Sequence, residues 1–509
     1  MKKIMTLKNL TVFLMFLFYF VIGFSFLILG PNSLFDWKTC LLSLSIVLFL
    51  GLIVKYSYSY LFVHNVIMAV FFSLFIIPRL IIYLIIPDMV NFSFGVAISN
   101  DQINIALFYM LVGTILISVG FWGGEWVNRR FLALKKPISE PAQYHSGVVL
   151  GIFLITVLVG WCIKNILGIN FYANYASNNP GAHNYLVQSL LIVFNTDLIF
   201  FMTCAALLFR RVFKKNDLLI LLFIIAVYLF IQAVNGSRGG GIRVPLMILM
   251  IILCLKGDFK VKFWRICIFL TILFSSYFTW PFATQKRINA ATEGHILATR
   301  GEVVNISSVH PDGSLLYNKP GKLFSAVISR LGVIDNAIII LSINAEPRAK
   351  AKYMTMSYAG KNIANLLLPG VLFEDAEINT SRVIPVLYRA FSDDYLNVGG
   401  YSSDFYTPWG VFFLVFGWWK GWFMLLVTAM SVHLMYSLVM RFGGKFRYYI
   451  GASYLLSVAY LFFANMGIDH WIASSAIILG SGVIAIILFE IGEFILERAR
   501  LFLKQLSTP

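Results

Sequence analysis

Charge is scarce in this chain, and acid is scarcest: 12% of residues are charged, with 23 Asp and Glu against 40 Lys and Arg. So few ionised groups do not solvate a soluble protein of 509 residues. Cysteine is rare too. The five present (Cys40, Cys162, Cys204, Cys254, Cys267) all fall in apolar stretches and form no CxxC pair. That pattern argues against a disulfide frame or a zinc site and for free, membrane-buried thiols. HExxH, GxSxG and the GK[ST] of a phosphate loop are all missing, and with them the signatures of zincin, serine-hydrolase and Walker-type chemistry. The first apolar run resembles a signal peptide at its start, yet it is too long and no small-x-small cleavage site comes after it. It reads as a retained anchor.

What the chain has in abundance is hydrocarbon: 59% of its residues are hydrophobic. Apolar runs fall near 10–30, 39–54, 61–86, 102–124, 146–168, 187–209, 218–234, 243–255, 265–283, 407–432, 449–466 and 471–491. Each approaches the roughly 20 residues that cross a bilayer as a helix. About twelve spans put both termini on one side, and the basic residues agree. Lys55, Arg129, Arg130, Lys135, Lys136, Arg210, Arg211, Lys214, Lys215, Lys256, Lys260, Lys262, Arg265, Arg441, Lys445 and Arg447 all land on that side, with Arg498, Arg500 and Lys504 of the tail. The net charge of +17 is therefore mostly topological and supports no nucleic-acid partner.

The expected architecture is an all-α polytopic membrane protein in three parts. Residues 1–283 hold spans one to nine, 284–406 form a large extracytoplasmic loop domain, and 407–509 hold the last three spans and a cytoplasmic tail. A loop of that length is too long and too apolar in places for a passive linker. Within it, Leu323 to Ile343 has helical period: Leu323, Phe324, Val327, Leu331, Ile334, Ile338 and Leu341 share one face. Arg330 borders that stripe, as in a helix lying at a membrane surface with its guanidinium aimed at headgroups or protein.

The candidate site residues are those whose charge is at odds with its surroundings. Arg79, after Pro78 in an otherwise apolar span, costs roughly 2.5–3.5 kcal/mol or more if left facing lipid. It is expected to face protein, water or an anionic ligand. Eight residues of helix place it about 12 Å below the external end, and Asp197 lies at about 15 Å in its own span. The matched depths suggest an Arg79–Asp197 pair. Arg238 and Arg243 bracket Gly239-Gly240-Gly241 at an external turn, where backbone N–H groups and guanidinium donors suit a diphosphate. Asp469-His470-Trp471 is expected to form the external turn between the last two spans, with His470 as a candidate general base beside Asp469. Arg382, Arg389, Asp393 and Asp394 are weaker loop candidates. No metal or cofactor is called for: the first external loop, PNSLFDWK, lacks the acidic-x-acidic pair of metal-using lipid-phosphate-sugar transferases, leaving an arginine-based mechanism as the simplest enzyme reading.

Three stretches carry a family resemblance. Pro78-Arg79-Leu80 sits in an early span, and Gly236-Ser237-Arg238-Gly239-Gly240 at a span junction before the loop. Gly400-Tyr401-Ser402-Ser403 leads through Thr407-Pro408-Trp409-Gly410 to Phe416-Gly417-Trp418, where the loop re-enters the membrane. With the late external loop, they resemble the Wzy-type oligosaccharide repeat-unit polymerases (O-antigen polymerases), whose architecture the O-antigen ligases share. Trp419-Lys420-Gly421 departs from the usual family form by placing a lysine in the re-entering span.

The resemblance implies a bacterial inner-membrane enzyme, termini cytoplasmic. It would transfer a growing glycan from one undecaprenyl diphosphate carrier to the sugar of another carrier-linked repeat unit. Arg79, Asp197, Arg238, Arg243, Arg330 and Arg382 are then the expected substrate-binding set, and a chain-length regulator and a flippase are the implied partners beside the bilayer. Glycan ligation, or transport of the same lipid-linked sugars, stands as the alternative.

Overall fold

The protein's structure, a computed structural model, describes residues 5–87, 98–131, 141–166, 196–210, 214–234, 240–254, 260–261, 337–338, 340–341, 357, 360–361, 408–463 and 468–506. It is an all-α, multi-pass membrane protein. Among the described residues, seven helical runs are long and apolar enough to cross a membrane, one of them the continuous run Tyr60–Ile85. In chain order the helices are α1 (Leu7–Leu29), α2 (Trp37–Tyr56), α3 (Ser59–Phe71), α4 (Ile77–Ile85), α5 (Asn100–Phe131) and α6 (Ser146–Ile166). They continue as α7 (Thr196–Leu208), α8 (Lys215–Val234), α9 (Gly240–Cys254), α10 (Pro408–Phe442), α11 (Arg447–Phe463) and α12 (Ile468–Leu506). Every expected span except 265–283, which lies outside the described residues, coincides at least in part with one of these. The only described strands, Met5–Thr6 and Lys260–Val261, form a two-residue antiparallel ladder.

The third span is where sequence chemistry bends the fold. Pro78 has no N–H to give the carbonyl four residues back, and its ring crowds that carbonyl. The chain absorbs the misfit one turn early. Phe72–Ile76 winds as a π-helix between α3 and α4, and the Ile77 N–H reaches back five residues to the Phe72 carbonyl. Such a bulge inserts one residue and re-aims the next turn of the helix. That turn carries Arg79. Asn32 ties the far end of α4 down, donating its side-chain amide to the Tyr83 and Leu84 carbonyls at 3.0 Å each.

The most extensive packing joins α5 to α10, and glycines permit it. A Cβ on Gly120 would sit 2.4 Å from the Leu426 carbonyl oxygen, and one on Gly124 would sit 2.9 Å from that of Met430. This is a Gly-x-x-x-Gly contact, in which backbones approach because no side chain intervenes. Higher on α10 the helix breaks at Gly417, with φ 74° and ψ −167°. That region is essentially reserved for glycine. The start of α10 therefore runs at its own angle, and it carries Trp409 into the bundle.

One end of the bundle is basic. Lys55, Arg129, Arg130 and Arg441 fall in the last turns of α2, α5 and α10. Several side chains stitch that end together: Lys8 donates to the Ser57 carbonyl at 2.8 Å, Lys445 pairs with Glu490 at 3.0 Å, and Arg210 pairs with Asp217. Glu490 also accepts from the Tyr144 hydroxyl at 3.1 Å, and Glu493 from the His145 N–H. The burial of Tyr144 beside Glu490 pushes its hydroxyl pKa up. α12 runs well past its expected end at 491 and reaches Leu506. Cys40, Cys204 and Cys254 are buried free thiols and Cys162 is a half-buried one. Of the expected amphipathic loop helix, Ala337, Ile338, Ile340 and Leu341 are described, and all four belong to the buried apolar core. They are more deeply covered than a helix floating on a membrane surface requires.

Candidate functional site

Two arginine seats emerge on the side of the bundle away from the basic end. The first belongs to Arg79. Its residue is 2% exposed, one of the largest fully buried side chains described. Its guanidinium carbon lies 5.7 Å from the centre of the Tyr83 ring, one turn on along α4, which supplies a cation–π contact. The π-turn beside it is gripped from α10: Trp409 stacks on Phe71 at 5.8 Å and meets Phe72 edge-on at 5.2 Å. Gly113 of α5 makes room, since a Cβ there would lie 2.5 Å from the Trp409 ring. Trp409 thus meets the start of the π-turn that precedes Pro78-Arg79, from more than 300 residues away in sequence.

The second seat is built around Asp197, near the start of the described part of α7. One carboxylate oxygen accepts from the Tyr228 hydroxyl at 3.0 Å and from the Gln232 amide at 2.6 Å. The other takes Arg243 of α9 at 2.9 Å. Tyr228 and Gln232 are four residues apart on α8 and so project from one face. Phe200 stacks on Tyr228 at 4.0 Å and fixes that ring. Asp197 is thus the clamp that fastens α8 and α9 to α7. The connection between α8 and α9 carries Arg238 and the first of the glycines in sequence. Arg243 stands two residues before Pro245, which sits inside α9 and offers no N–H to the Gly241 carbonyl. Both seats therefore put an arginine close to a proline within a helical span.

Burial separates the two. The Asp197 side chain is 18% exposed and that of Arg243 is 47% exposed. Arg243 is about half exposed, and the Asp197 carboxylate helps to fix the direction of its guanidinium.

The remaining candidates divide by position. Arg238, Arg330, Arg382, Arg389, Asp393 and Asp394 lie outside the described residues. Asp469 and His470 do not form a turn between spans: their backbone is helical, in the first turn of α12 from Ile468. An acidic residue suits that position at a helix start. Lys420 is exposed, next to the equally exposed Trp419, on the outer surface of α10. Arg243 as the partner of Asp197, and Tyr228 and Gln232 behind it, went unforeseen in the sequence. Their signal is a pair of polar residues four apart within an apolar span. No family model, curated protein or solved structure significantly matches this chain.

Proposed function

We propose that the protein is a membrane glycosyltransferase that polymerises undecaprenyl-diphosphate-linked oligosaccharide repeat units at the membrane face opposite its basic end. On this reading the basic end and both termini are cytoplasmic, the membrane is the bacterial inner membrane, and the chain is a Wzy-type polymerase. The observation that carries it is the Arg79 seat. An arginine is held fully buried in a span, just past a proline and a π-turn that Trp409 of α10 grips. Burying an arginine this way is costly, and anion handling is a common return on it.

The chemistry is set by the groups at hand. An acceptor sugar hydroxyl attacks the anomeric carbon of the donor glycan and forms the new glycosidic C–O bond. The bond from that carbon to the carrier diphosphate breaks, and the diphosphate leaves with the electron pair. Its growing negative charge is what Arg79 and Arg243 stabilise, joined by Arg238 and Arg330. Asp197 orients Arg243 for that task. The hydroxyl proton passes to a base, for which His470 with Asp469 is the candidate.

The test is reconstitution of the full chain in liposomes with lipid-diphosphate repeat units. A ladder of lengthened glycans supports polymerisation. Transfer to a lipid A core identifies a ligase, and a change of sidedness without a new glycosidic bond identifies a flippase. Arg79→Lys keeps the charge but loses the two-pronged donor geometry, and turnover should fall about a hundredfold. Full activity in that variant rules out direct diphosphate contact by Arg79.

A further inference from the structure

Toward the basic end, where α3, α5 and α10 meet, lies a polar cluster that the glycosyl-transfer reading does not use. His433 Nε2 is 3.0 Å from Glu125 Oε2, and Glu125 Oε1 accepts from Arg129 Nε at 2.8 Å. A nitrogen facing a carboxylate carries the proton, so in a neutral His433 ring Nδ1 is a bare acceptor. His64 repeats the pattern from α3. Its Nδ1 lies 3.2 Å from the Tyr60 carbonyl oxygen, which requires an N–H there and leaves Nε2 bare. Both rings are fully buried, with centres 5.1 Å apart, and those two nitrogens have no hydrogen-bond partner among the described residues. Asn128 adds another acceptor: its amide donates to Glu125 at 3.4 Å, and its Oδ1 also lacks a partner among the described residues.

Buried acceptors here outnumber donors, and a buried unpaired polar atom is expensive. What the cluster lacks is a hydrogen. An ion pair that merely fastened α5 to α10 needs Glu125, His433 and Arg129. It has no use for a second imidazole with its own bare nitrogen beside the first. We propose that His64 and His433, backed by Glu125, form a proton-binding site in which one excess proton is shared between the two rings. The proton enters on His433 Nδ1 or His64 Nε2, an N–H bond forms, and the opposite nitrogen accepts through one water. Because Glu125 and Arg129 already cancel, the incoming charge rests against the carboxylate side of a neutral pair. A metal cation fits less well, since among the described residues no group of three His, Cys, Asp or Glu is arranged to hold one.

The groups around the site are known on each packed element. Phe121 of α5 and Tyr436 of α10 flank the His64 ring at 4.9 and 5.3 Å, and Tyr60 of α3 meets Tyr436 at 5.5 Å. Beyond these lie Arg441 of α10, Arg447 and Tyr448 of α11, and Cys254 of α9, which the Tyr436 hydroxyl contacts at 3.7 Å. Arg129, 56% exposed, is the cluster's link to the surface. The site joins the helix that leads into the π-turn to the helix that carries Trp409. Protonation there is positioned to alter how those two helices meet.

The test uses the full-length protein in lipid nanodiscs with imidazole nitrogen-15 labelling. The chain has 7 histidines, so the ring signals are few enough to assign by single substitution. Between about pH 4 and pH 9, one ring of the His64–His433 pair should gain a proton while the other ring's signal moves with it. Glu125→Gln should weaken that proton's binding about tenfold or more, which shifts the midpoint down by about one pH unit. Should Glu125→Gln fail to fold, His64→Phe serves. It keeps a ring but removes the second nitrogen, and the excess proton should then bind about tenfold more weakly. Rings that stay neutral throughout, or a midpoint unmoved in the folded variant, overturn the proposal. Neither outcome bears on the glycosyl-transfer reading.

Discussion

Glu125 and Asp197 are both acidic residues set inside a helical bundle, and both bind an arginine, yet their surroundings differ sharply. Glu125 is 3% exposed, and its partners come from its own helix and from His433. Asp197 is 18% exposed, and its arginine is nearly half open. In the Glu125 network, loss of the carboxylate strands the buried His433 nitrogen and Asn128 amide, although Arg129 reaches the surface. In the open one, water substitutes for a lost contact. On the two proposals above, the sealed cluster is assigned to folding and to protons, and the open one to a ligand. Arg79 is the mixed case, sealed like Glu125 but placed away from the basic end like Arg243.

The sharpest way to break this contrast is to remove each acid in turn. Glu125→Ala strands His433 Nε2 and the Asn128 amide in the core and should cost about 3 kcal/mol. Thermal unfolding in detergent should show it as the largest loss among the variants considered, with or without substrate lipid. A loss below that of an exposed pair would mean that the cluster is hydrated and not sealed. Next comes the hinge between the two regions. Gly417→Ala meets no neighbour within 4 Å. Its cost is purely conformational and should be about 1–3 kcal/mol. The helix start that holds Trp409 against the π-turn should then move, so turnover should fall more than stability. Equal loss of both would show that the break is only a packing accommodation.

Asp197→Asn should do the opposite of Glu125→Ala. The amide still meets Tyr228 and Gln232, and the half-exposed ion pair with Arg243 contributes less than about 1 kcal/mol. Stability should hardly change. Glycan transfer should drop about tenfold, because Arg243 loses its direction. Restoring reach with Arg243→Lys should not rescue it, since a lysine has no planar fork to be directed. A large melting shift with intact turnover would move Asp197 to the structural class.

How much of this was legible in the sequence depends on range. The seven long apolar helices among the described residues were legible because about twenty apolar residues suffice to report a span. The basic end was legible because charge in short connections reports sidedness. Pro78-Arg79 announced a disturbance, but not that a π-turn would take it up or that Trp409, more than 300 residues away, would pack on it. Depth counting suggested Arg79 for Asp197 and missed Arg243. A count along a helix gives height but not which way the side chain faces. Glu125, His433 and His64 escaped notice for the same reason: 308 positions separate Glu125 from His433, and nothing local marks either. The Asp469-His470 reading failed on backbone, since the residues taken as a turn had enough apolar sequence after them to start a helix.

The smallest expected effect concerns a third acid, and it tests whether openness alone decides. Asp36 is half-buried at the start of α2, where Oδ1 accepts from the Thr39 N–H at 2.8 Å and the Thr39 hydroxyl at 2.9 Å. The Asn104 amide of α5 approaches both oxygens at 3.3 and 3.4 Å. Burial pushes this carboxyl's pKa up, but the hydrogen bonds from Thr39 and Asn104 outweigh it, and the net shift is downward from 3.8. A carboxyl lowered in the folded state contributes stability above its unfolded pKa and loses it as pH falls through the folded one. Asp36→Ala should therefore cost about 1 kcal/mol at neutral pH, the usual worth of a helix cap. The gap from wild type should narrow as pH falls below 3.8, and transfer activity should be untouched. Asp36 shares the partial exposure of Asp197 but binds no arginine. If its loss also slows transfer, openness by itself is not what separates a ligand-facing acid from a structural one.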